Sequence, residues 1–455
     1  MKITVIGTGY LGAVHAAAMT DIGHEVLGVD VNLDTIEALA SGQAPFFEPG
    51  LPELLRRALD SGRLRFSTSL EEAAGFGDVH FVCVGTPQVK GQYSADLRFV
   101  DQVVHDLAPH LHRPCLVVGK STVPVGTAQR LAGALEAAAP VGTGALLAWN
   151  PEFLREGFAV EDTLRPDRIV LGVTSHEAEH TLRELYGSLL ASGTPCIVTD
   201  LATAELVKVG ANAFLATKIS FINAMAEVCE RSGADVATLA DAIGYDERIG
   251  RRFLNAGLGF GGGCLPKDIR AFMARAGQLG AEQALSFLRE VDEINMRRRQ
   301  KTVDVACELV GGSFLGRRIA VLGATFKPDS DDVRDSPALN VAAAMQLRGA
   351  DVRVHDPQGI NNARALWPTL DYTEEVTKTV EGADVVLHLT EWREYQELDP
   401  KALVELVRHP QVLDARSALD VDRWHAAGWS VHALGRPSRL ATDVAWGDRP
   451  GRAAG

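Results

Sequence analysis

The chain opens MKITVIGTGYLG (Met1–Gly12) and then reaches EVLGVD (Glu25–Asp30). A β-branched run ends at Gly7-Thr8-Gly9-Tyr10-Leu11-Gly12, a GxGxxG segment set between a strand and a helix. Gly7 permits the tight turn, Gly9 lets a pyrophosphate approach the backbone, and Gly12 lets helix and strand pack closely. Tyr10 and Leu11 open the helix, whose free N–H groups face the phosphates. Asp30 ends the second strand 18 residues after Gly12. There a carboxylate binds the adenosine ribose and repels a 2′-phosphate. Strand, glycines, helix, strand and acid together predict a Rossmann-like site for NAD rather than NADP, since no arginine follows Asp30 closely.

Outward from this turn, short apolar runs alternate with helical patterns. Strands are expected at Ile3–Ile6, Glu25–Val29, His80–Val84, Cys115–Val118, Leu146–Trp149, Ile169–Leu171 and Cys196–Val198. Helices such as Leu51–Leu59 and Val100–Leu111 lie between them, which implies a mostly parallel sheet covered on both faces. Val84-Gly85-Thr86-Pro87 and Lys120-Ser121-Thr122-Val123-Pro124 end two of the strands. Ligands of open parallel sheets lie beyond such ends, so Thr86 and Thr122 are candidate cofactor contacts. Shaping the turns is their plainer alternative role.

The pattern changes at Asp200, a plausible N-cap. Ala202 to about Arg231 contains no proline and predicts one helix of some eight turns. Gly210 within it suggests close packing, because an interior glycine is unfavourable by about 1 kcal/mol. Further helices are expected at Val236–Ile243, Asp268–Leu279 and Glu282–Leu309. A second α/β unit opens at Arg317, with strands Ile319–Leu322, Val352–His355, Val385–Leu389, Val412–Leu413 and Ser430–His432, and a helix at Ala338–Leu347. ITVIGTGYLG and IAVLGATFKP are weakly alike, which fits two related halves.

The fold class is thus α/β, with two Rossmann-like domains joined by a long central helix and a helical dimerisation middle. The expected domains are 1–200 for NAD, 201–312 for the central helices, 313–442 for the second α/β unit, and a disordered tail at 443–455. The long helix carries Leu206, Val209, Phe214, Leu215, Ile219, Phe221, Ile222 and Met225 on more than one side, which predicts a homodimer.

Composition bounds the function. Forty-five basic against 59 acidic residues, a net charge of −14, argue against a general nucleic-acid binder. An apolar share of 46% and a charged share of 23% are ordinary globular usage. No apolar run approaches the roughly 20 residues of a spanning helix, and the N-terminus lacks a signal-peptide pattern. Six dispersed cysteines without a CxxC pair fit a reduced, cytoplasmic chain. No metal is expected.

The most informative stretch is RIGRRFLNAGLGFGGGCLPKD (Arg248–Asp268), with five glycines between Gly257 and Gly263. That density suggests special dihedrals or close ligand approach. Cys264 follows, then Pro266, suited to a first helical turn. A cysteine beside a helix N-terminus and a lysine, here Lys267, has its thiolate favoured. Lys208 and Asn212, at i and i+4, share one face of the long helix.

These segments, with VGTP, KSTVPVGT, NPEFLREG and FKPDSDDVRDSP in the same order, resemble the nucleotide-sugar dehydrogenases of the UDP-glucose/GDP-mannose dehydrogenase family over nearly the whole chain. The resemblance implies that UDP-glucose, two NAD⁺ and water give UDP-glucuronate and two NADH. Cys264 would form a thiohemiacetal and then a thioester, with Lys208 and Asn212 stabilising the oxyanion. Asp268 would work with Lys208 and a water in proton transfer, and Glu152 would activate the water that cleaves the thioester. Thr122 would help hold that water and the nicotinamide region. Glu156, Lys267 and Arg334 match further cofactor contacts, and Thr35 stands at a cofactor position near the adenosine ribose. Phe153, Leu154, Gly261 and the segment Phe253-Leu254-Asn255-Ala256-Gly257 match substrate contacts. Lys327 matches a sugar-binding lysine, and Arg248 an arginine that reaches a neighbouring subunit's nucleotide. The chain departs from many relatives at Gly263 (Ser), Leu265 (Phe) and Thr35 (Lys).

Competing readings are the same chemistry on GDP-mannose or a UDP-N-acetylhexosamine, a two-electron hydroxyacid dehydrogenase, and an NAD-binding sensor. Cys264 argues against the two-electron enzyme, which needs no covalent adduct. Retention of Cys264, Lys208, Asn212, Asp268 and Glu152 together counts against the sensor.

Overall fold

The structure, a computed structural model, describes residues 1–441. The tail 443–455, expected to be disordered, lies outside the described residues. The chain forms two compact units: Met1–Ala213 with Lys267–Leu285, and Phe214–Pro266 with the chain from Ser286 on.

The first unit is built on an eight-stranded sheet: β1 Lys2–Ile6, β2 Glu25–Val29, β3 Leu64–Ser67, β4 Val79–Val82, β5 Cys115–Gly119, β6 Ala145–Trp149, β7 Ile169–Gly172 and β8 Cys196–Thr199. Their order is β3-β2-β1-β4-β5-β6-β7-β8. Strands β1 to β6 are parallel, and β7 joins β6 antiparallel through Trp149 and Gly172. Alternate side chains leave opposite faces of a strand. Accordingly Val5, Phe81 and Val118 enter one apolar core, while Ile6, Val82 and Val117 enter another. Burial on both faces is why these strands read as continuous apolar runs.

The second unit contains β9 Arg318–Leu322, β10 Asp351–His355, β11 Asp371–Tyr372, β12 Val385–His388, β13 Gln411–Asp414 and β14 Ser430–Ala433. All pair in parallel, in the order β11-β10-β9-β12-β13-β14. The first six strands of the other sheet follow the same order. The sequence likeness extends to the turns. Gly7 (φ +90°) donates its N–H to Val29 O, and Gly323 (φ +114°) donates to His355 O, each at 2.8 Å.

The long helix spans Leu201–Ser232, and Asp200 caps it by accepting the Thr203 N–H at 2.8 Å. Three expectations change. Gly210 is exposed, and a Cβ there would meet nothing within 4 Å, so it does not mark close packing within the chain. The helix expected from Glu282 to Leu309 is a 3₁₀ turn at Glu282–Leu285 followed by a helix at Phe287–Leu309. Strands β3 and β11 were not expected. Both are short sheet edges, partly open to solvent, and carry no long apolar run. Among the described residues no helix is long and apolar enough to cross a membrane.

Candidate functional site

In the first unit, Gly7 takes a left-handed φ that its turn requires. A Cβ on Gly12 would lie 1.8 Å from the Gly7 carbonyl oxygen, so only glycine lets the helix approach the strand. Around Gly9 a Cβ would meet nothing within 4 Å. The helix Tyr10–Asp21 starts with no side-chain cap and no acid in its first turn. Its leading N–H groups therefore remain available to a diphosphate. Asp30 accepts the Thr8 N–H at 2.8 Å and the Asn32 N–H at 3.0 Å, so the acid also braces the turn. Asn32 in turn caps the next helix through the Thr35 N–H. Open backbone, uncapped helix and acid all fit NAD.

Beyond the strand ends, the Thr86 hydroxyl donates to Thr122 O at 2.7 Å. Thr86, Thr122, Lys267 and Asp268 line one crevice with Val209 and Arg275. The loop that carries Thr122 is held from two helices. Glu205 accepts the Gly126 and Ala128 N–H groups at 2.7 and 2.6 Å, and Arg275 donates to Val125 O at 2.9 Å. Burial pushes the Glu205 carboxyl up, against the pull of those amides. At the loop's base the Lys120 ammonium is buried against Asn150 Oδ1 at 3.0 Å, and burial lowers it to about 8.

The candidate acid–base groups form two clusters. Lys208 and Glu152 make an ion pair at 3.1 Å, with side chains only 6% and 12% exposed. Glu152 also accepts the Leu154 N–H at 2.6 Å. Phe153 packs under the Arg168 guanidinium at 3.6 Å. Asn212 donates to Asp268 at 2.7 Å, and Lys267 meets the other Asp268 oxygen at 2.5 Å. Because Lys208 and Asn212 lie one turn apart on the same helix, they link the two clusters. Glu156 is half-buried.

The second unit holds the thiol. Cys264 is exposed and directly precedes the helix Leu265–Gln278. The glycine-rich loop before it is pinned by buried polar groups. Asn223 accepts the Gly257 N–H at 2.8 Å. Asn295 accepts from Phe260 N and donates to Phe260 O, at 2.7 and 3.0 Å. Arg298, Arg416 and Arg299 donate to the carbonyls of Gly257, Gly259 and Phe260 at 3.3, 3.1 and 2.9 Å. Buried guanidiniums are expensive unless paired, and these have Glu230, Glu391 and Asp335 as partners. In the substrate-like segment Leu254, Ala256 and Gly257 are buried, while Asn255 and Phe253, at φ +65°, are exposed. A Cβ on Gly261 would strike Asp335 O.

A Cβ on Gly263 would lie 2.5 Å from the Arg334 guanidinium carbon. This chain's glycine therefore gives Arg334 the room that a serine would take. Arg334 chelates Asp332, and Arg248, exposed, chelates Asp246 in the same way. Lys327 lies over the Phe326 ring at 5.8 Å. Sequence reasoning missed Glu48, Lys120, Asn150, Arg168, Glu205 and Arg275 in the first unit. It also missed Asn223, Asn295, Arg298, Arg299 and Arg416 in the second. Signals were available in the motifs KSTVPVGT and NPEFLREG, which contain Lys120 and Asn150, and in EINMRRRQ (Glu293–Gln300), a basic run in the helix expected from Glu282 to Leu309.

Three domain descriptions match the chain in order. The NAD-binding domain of the UDP-glucose/GDP-mannose dehydrogenase family matches residues 1–190, its central domain 202–297 and its UDP-binding domain 320–421. The chain belongs to the UDP-glucose/GDP-mannose dehydrogenase family. It is an NAD-dependent oxidoreductase of that family. A UDP-glucose 6-dehydrogenase of Bacillus subtilis (YwqF) is 39% identical over 439 residues, covering 96% of this chain and 98% of its own. One of Rhizobium meliloti is 40% identical over 439 residues, covering 96% and 100%. Among solved structures, a UDP-glucose dehydrogenase from Pyrobaculum islandicum superposes with a TM-score of 0.88 at 39% identity over 96% of this chain and 98% of its own. A UDP-D-ManNAc dehydrogenase from Pyrococcus horikoshii reaches 0.84 at 26% identity, over 96% and 99%.

Proposed function

We propose that this dehydrogenase oxidises UDP-glucose to UDP-glucuronate through a covalent intermediate on Cys264. The observation that carries the reading is the pair of clusters Glu152–Lys208 and Asn212–Asp268–Lys267, joined by one helix, in a chain with an exposed cysteine ahead of Asp268. Four-electron oxidation needs a nucleophile, oxyanion donors and a base for hydrolysis, and these groups supply all three.

NAD held by the glycine turn and Asp30 would supply the hydride acceptor, one NAD⁺ for each oxidation and so two per sugar nucleotide. Asp268, with Lys208 and a water, takes the proton of the alcohol as it becomes an aldehyde. The Cys264 thiolate adds to that carbonyl, forming a C–S bond, while Lys208 and Asn212 donate to the oxygen. Loss of the second hydride leaves a thioester. Glu152 takes a proton from the water that adds to the thioester carbonyl, and C–S cleavage returns the thiolate and releases the acid.

We assign 1–200 to NAD, 201–312 to the thiol and its helices, and 313–442 to the UDP-sugar, in line with the three family domains. Thr35, Thr86, Thr122, Glu156, Lys267 and Arg334 are assigned to NAD. The UDP-sugar is assigned to Phe153, Leu154, Arg248, Phe253–Gly257, Gly261 and Lys327. The UDP-glucose enzymes at 39–40% identity support that sugar over the N-acetylated one at 26%. A homodimer is proposed on the long helix, where Phe214, Phe221 and Val228 are exposed seven residues apart on one face. Light scattering checks the mass. We assign the reaction to the cytoplasm because six dispersed cysteines without a CxxC pair fit a reduced chain.

The test is NADH yield across UDP-glucose, GDP-mannose and UDP-N-acetylhexosamines. Two NADH per UDP-glucose is expected. One would indicate a two-electron enzyme, none would favour a sensor, and a faster reaction with another sugar would move the specificity.

A further inference from the structure

Glu48 lies in Pro45-Phe46-Phe47-Glu48-Pro49-Gly50, ahead of the helix Leu51–Asp60. It is 2% exposed, far from the position expected of a surface carboxylate. One carboxylate oxygen accepts the Gly157 N–H at 2.6 Å and the Tyr10 hydroxyl. The other accepts the Ala159 N–H at 2.7 Å and the Val160 N–H at 3.4 Å. Gly157 N–H also lies 3.0 Å from the Tyr10 oxygen, and the Tyr10 ring packs on Phe46 with centroids 4.8 Å apart. A buried carboxylate is stable only when such donors replace water. Its partners come from two places that matter. Tyr10 follows Gly9 in the dinucleotide turn, and Gly157 ends the loop that begins at Glu152. The upstream end of that loop is fixed by Asn150, which is held by Lys120, Tyr186 and Val170. The downstream end is joined to the glycine turn by Glu48 and by the Gly157 N–H on the Tyr10 oxygen, and Glu48 also holds that oxygen in place.

We propose that Glu48 is a positioning residue whose carboxylate ties the Glu152–Gly157 loop to Tyr10 of the dinucleotide turn, holding Glu152 in place for thioester hydrolysis. The inference rests on the hydrolytic role proposed for Glu152. Glu48 touches neither water nor thioester and acts through the loop. The physical reason is that a misplacement of about 1 Å in a catalytic base lowers a rate by about 100-fold. With that anchor weakened, Glu152 relies on the Lys208 ion pair and the Leu154 N–H, which leave the Gly157 end of the loop freer to move.

The test is Glu48→Gln, which keeps the shape but replaces one acceptor oxygen with a donor. Rapid mixing with UDP-glucose and NAD should show an NADH burst of up to two per active site at the unmodified rate. The steady state after it should fall about 10- to 100-fold. Tyr10→Phe should lower the steady state less, and the double variant should be no slower than Glu48→Gln alone, because the hydroxyl acts through the carboxylate. If Glu48→Gln does not fold, Glu48→Asp carries the same burst measurement with a shortened carboxylate. Burst and steady state falling together, with melting temperature and both KM values shifted, would mean a merely structural residue and overturn the proposal. Additive effects in the double variant would overturn the link to Tyr10. Glu152→Gln, run in parallel, separates the two ideas. If it stalls after a burst while Glu48→Gln does not, the positioning role alone fails. If it shows no burst or turns over normally, the hydrolytic role of Glu152 fails and takes this proposal with it.

Discussion

Replacing Glu152 with glutamine is the most informative perturbation of the proposed mechanism. The carboxamide keeps the volume and can still accept from Lys208, but it cannot take a proton from water. Removing a general base costs about 10²- to 10⁴-fold, or roughly 3–5 kcal/mol of barrier, and here only in the hydrolytic step. The two oxidations do not use that proton transfer. Stopped-flow absorbance should therefore show a burst of up to two NADH per active site, then a steady state slowed by that factor. Intact mass spectrometry should find the chain heavier by one uridine-diphospho-glucuronyl group. A second effect follows from the ion pair. Lys208 is 6% exposed beside a partner that is 12% exposed, so the variant leaves a buried ammonium facing a neutral group. That costs about 3 kcal/mol, less what the carboxamide oxygen returns. The melting temperature should fall measurably while the burst survives. Normal turnover would show that another group activates the water. Loss of the burst with the fold intact would move Glu152 to binding or to the first oxidation.

Three further outcomes are expected. Cys264→Ser should form no UDP-glucuronate yet leave cofactor affinity, measured by the fluorescence of bound NADH, unchanged; acid formation at the unmodified rate would sink the covalent route. Asp30→Ala should narrow the NAD-to-NADP ratio of kcat/KM by about 10- to 100-fold, the worth of a charged hydrogen bond; an unchanged ratio would remove Asp30 from cofactor choice. Stability should fall below pH 6.5, because burial lowers His80 to about 4 and drives His15 well below its ordinary range. The folded state then refuses protons that the unfolded chain binds, at about 1.4 kcal/mol per pH unit for each ring. His15 packs edge-on against Phe81 and neither ring nitrogen has a hydrogen-bond partner, so His15→Leu should flatten the pH slope by one such share; equal slopes in urea unfolding would refute this.

Much of the fold was legible because its signals are local. GTGYLG between β1 and the helix Tyr10–Asp21, and the unbroken run from Leu201 to Ser232, each carry their own periodicity. The candidate residues Lys208 and Asn212 were legible as neighbours because helical spacing alone puts them on one face. Edge strands β3 and β11 were not legible, since strands open to solvent need no apolar run and are fixed by pairing with β2 and β10. The break before Phe287 was also hidden, because Glu282–Leu285 has the composition of a helix and differs only in its hydrogen bonding.

The sequence by itself determined which segments become strands and helices, which turn can approach a diphosphate, and which residue types stand ready for acid–base and thiol chemistry. Only the tertiary structure decided what holds them. Glu48 meets Gly157 across 109 positions of chain, and Glu205 meets Gly126 across 79. A lone acid in a sequence looks the same whether water or four buried donors surround it. The difference arises from burial, which forces each polar group to find a partner, and the partner is chosen by which backbones the folded sheets bring within 3 Å.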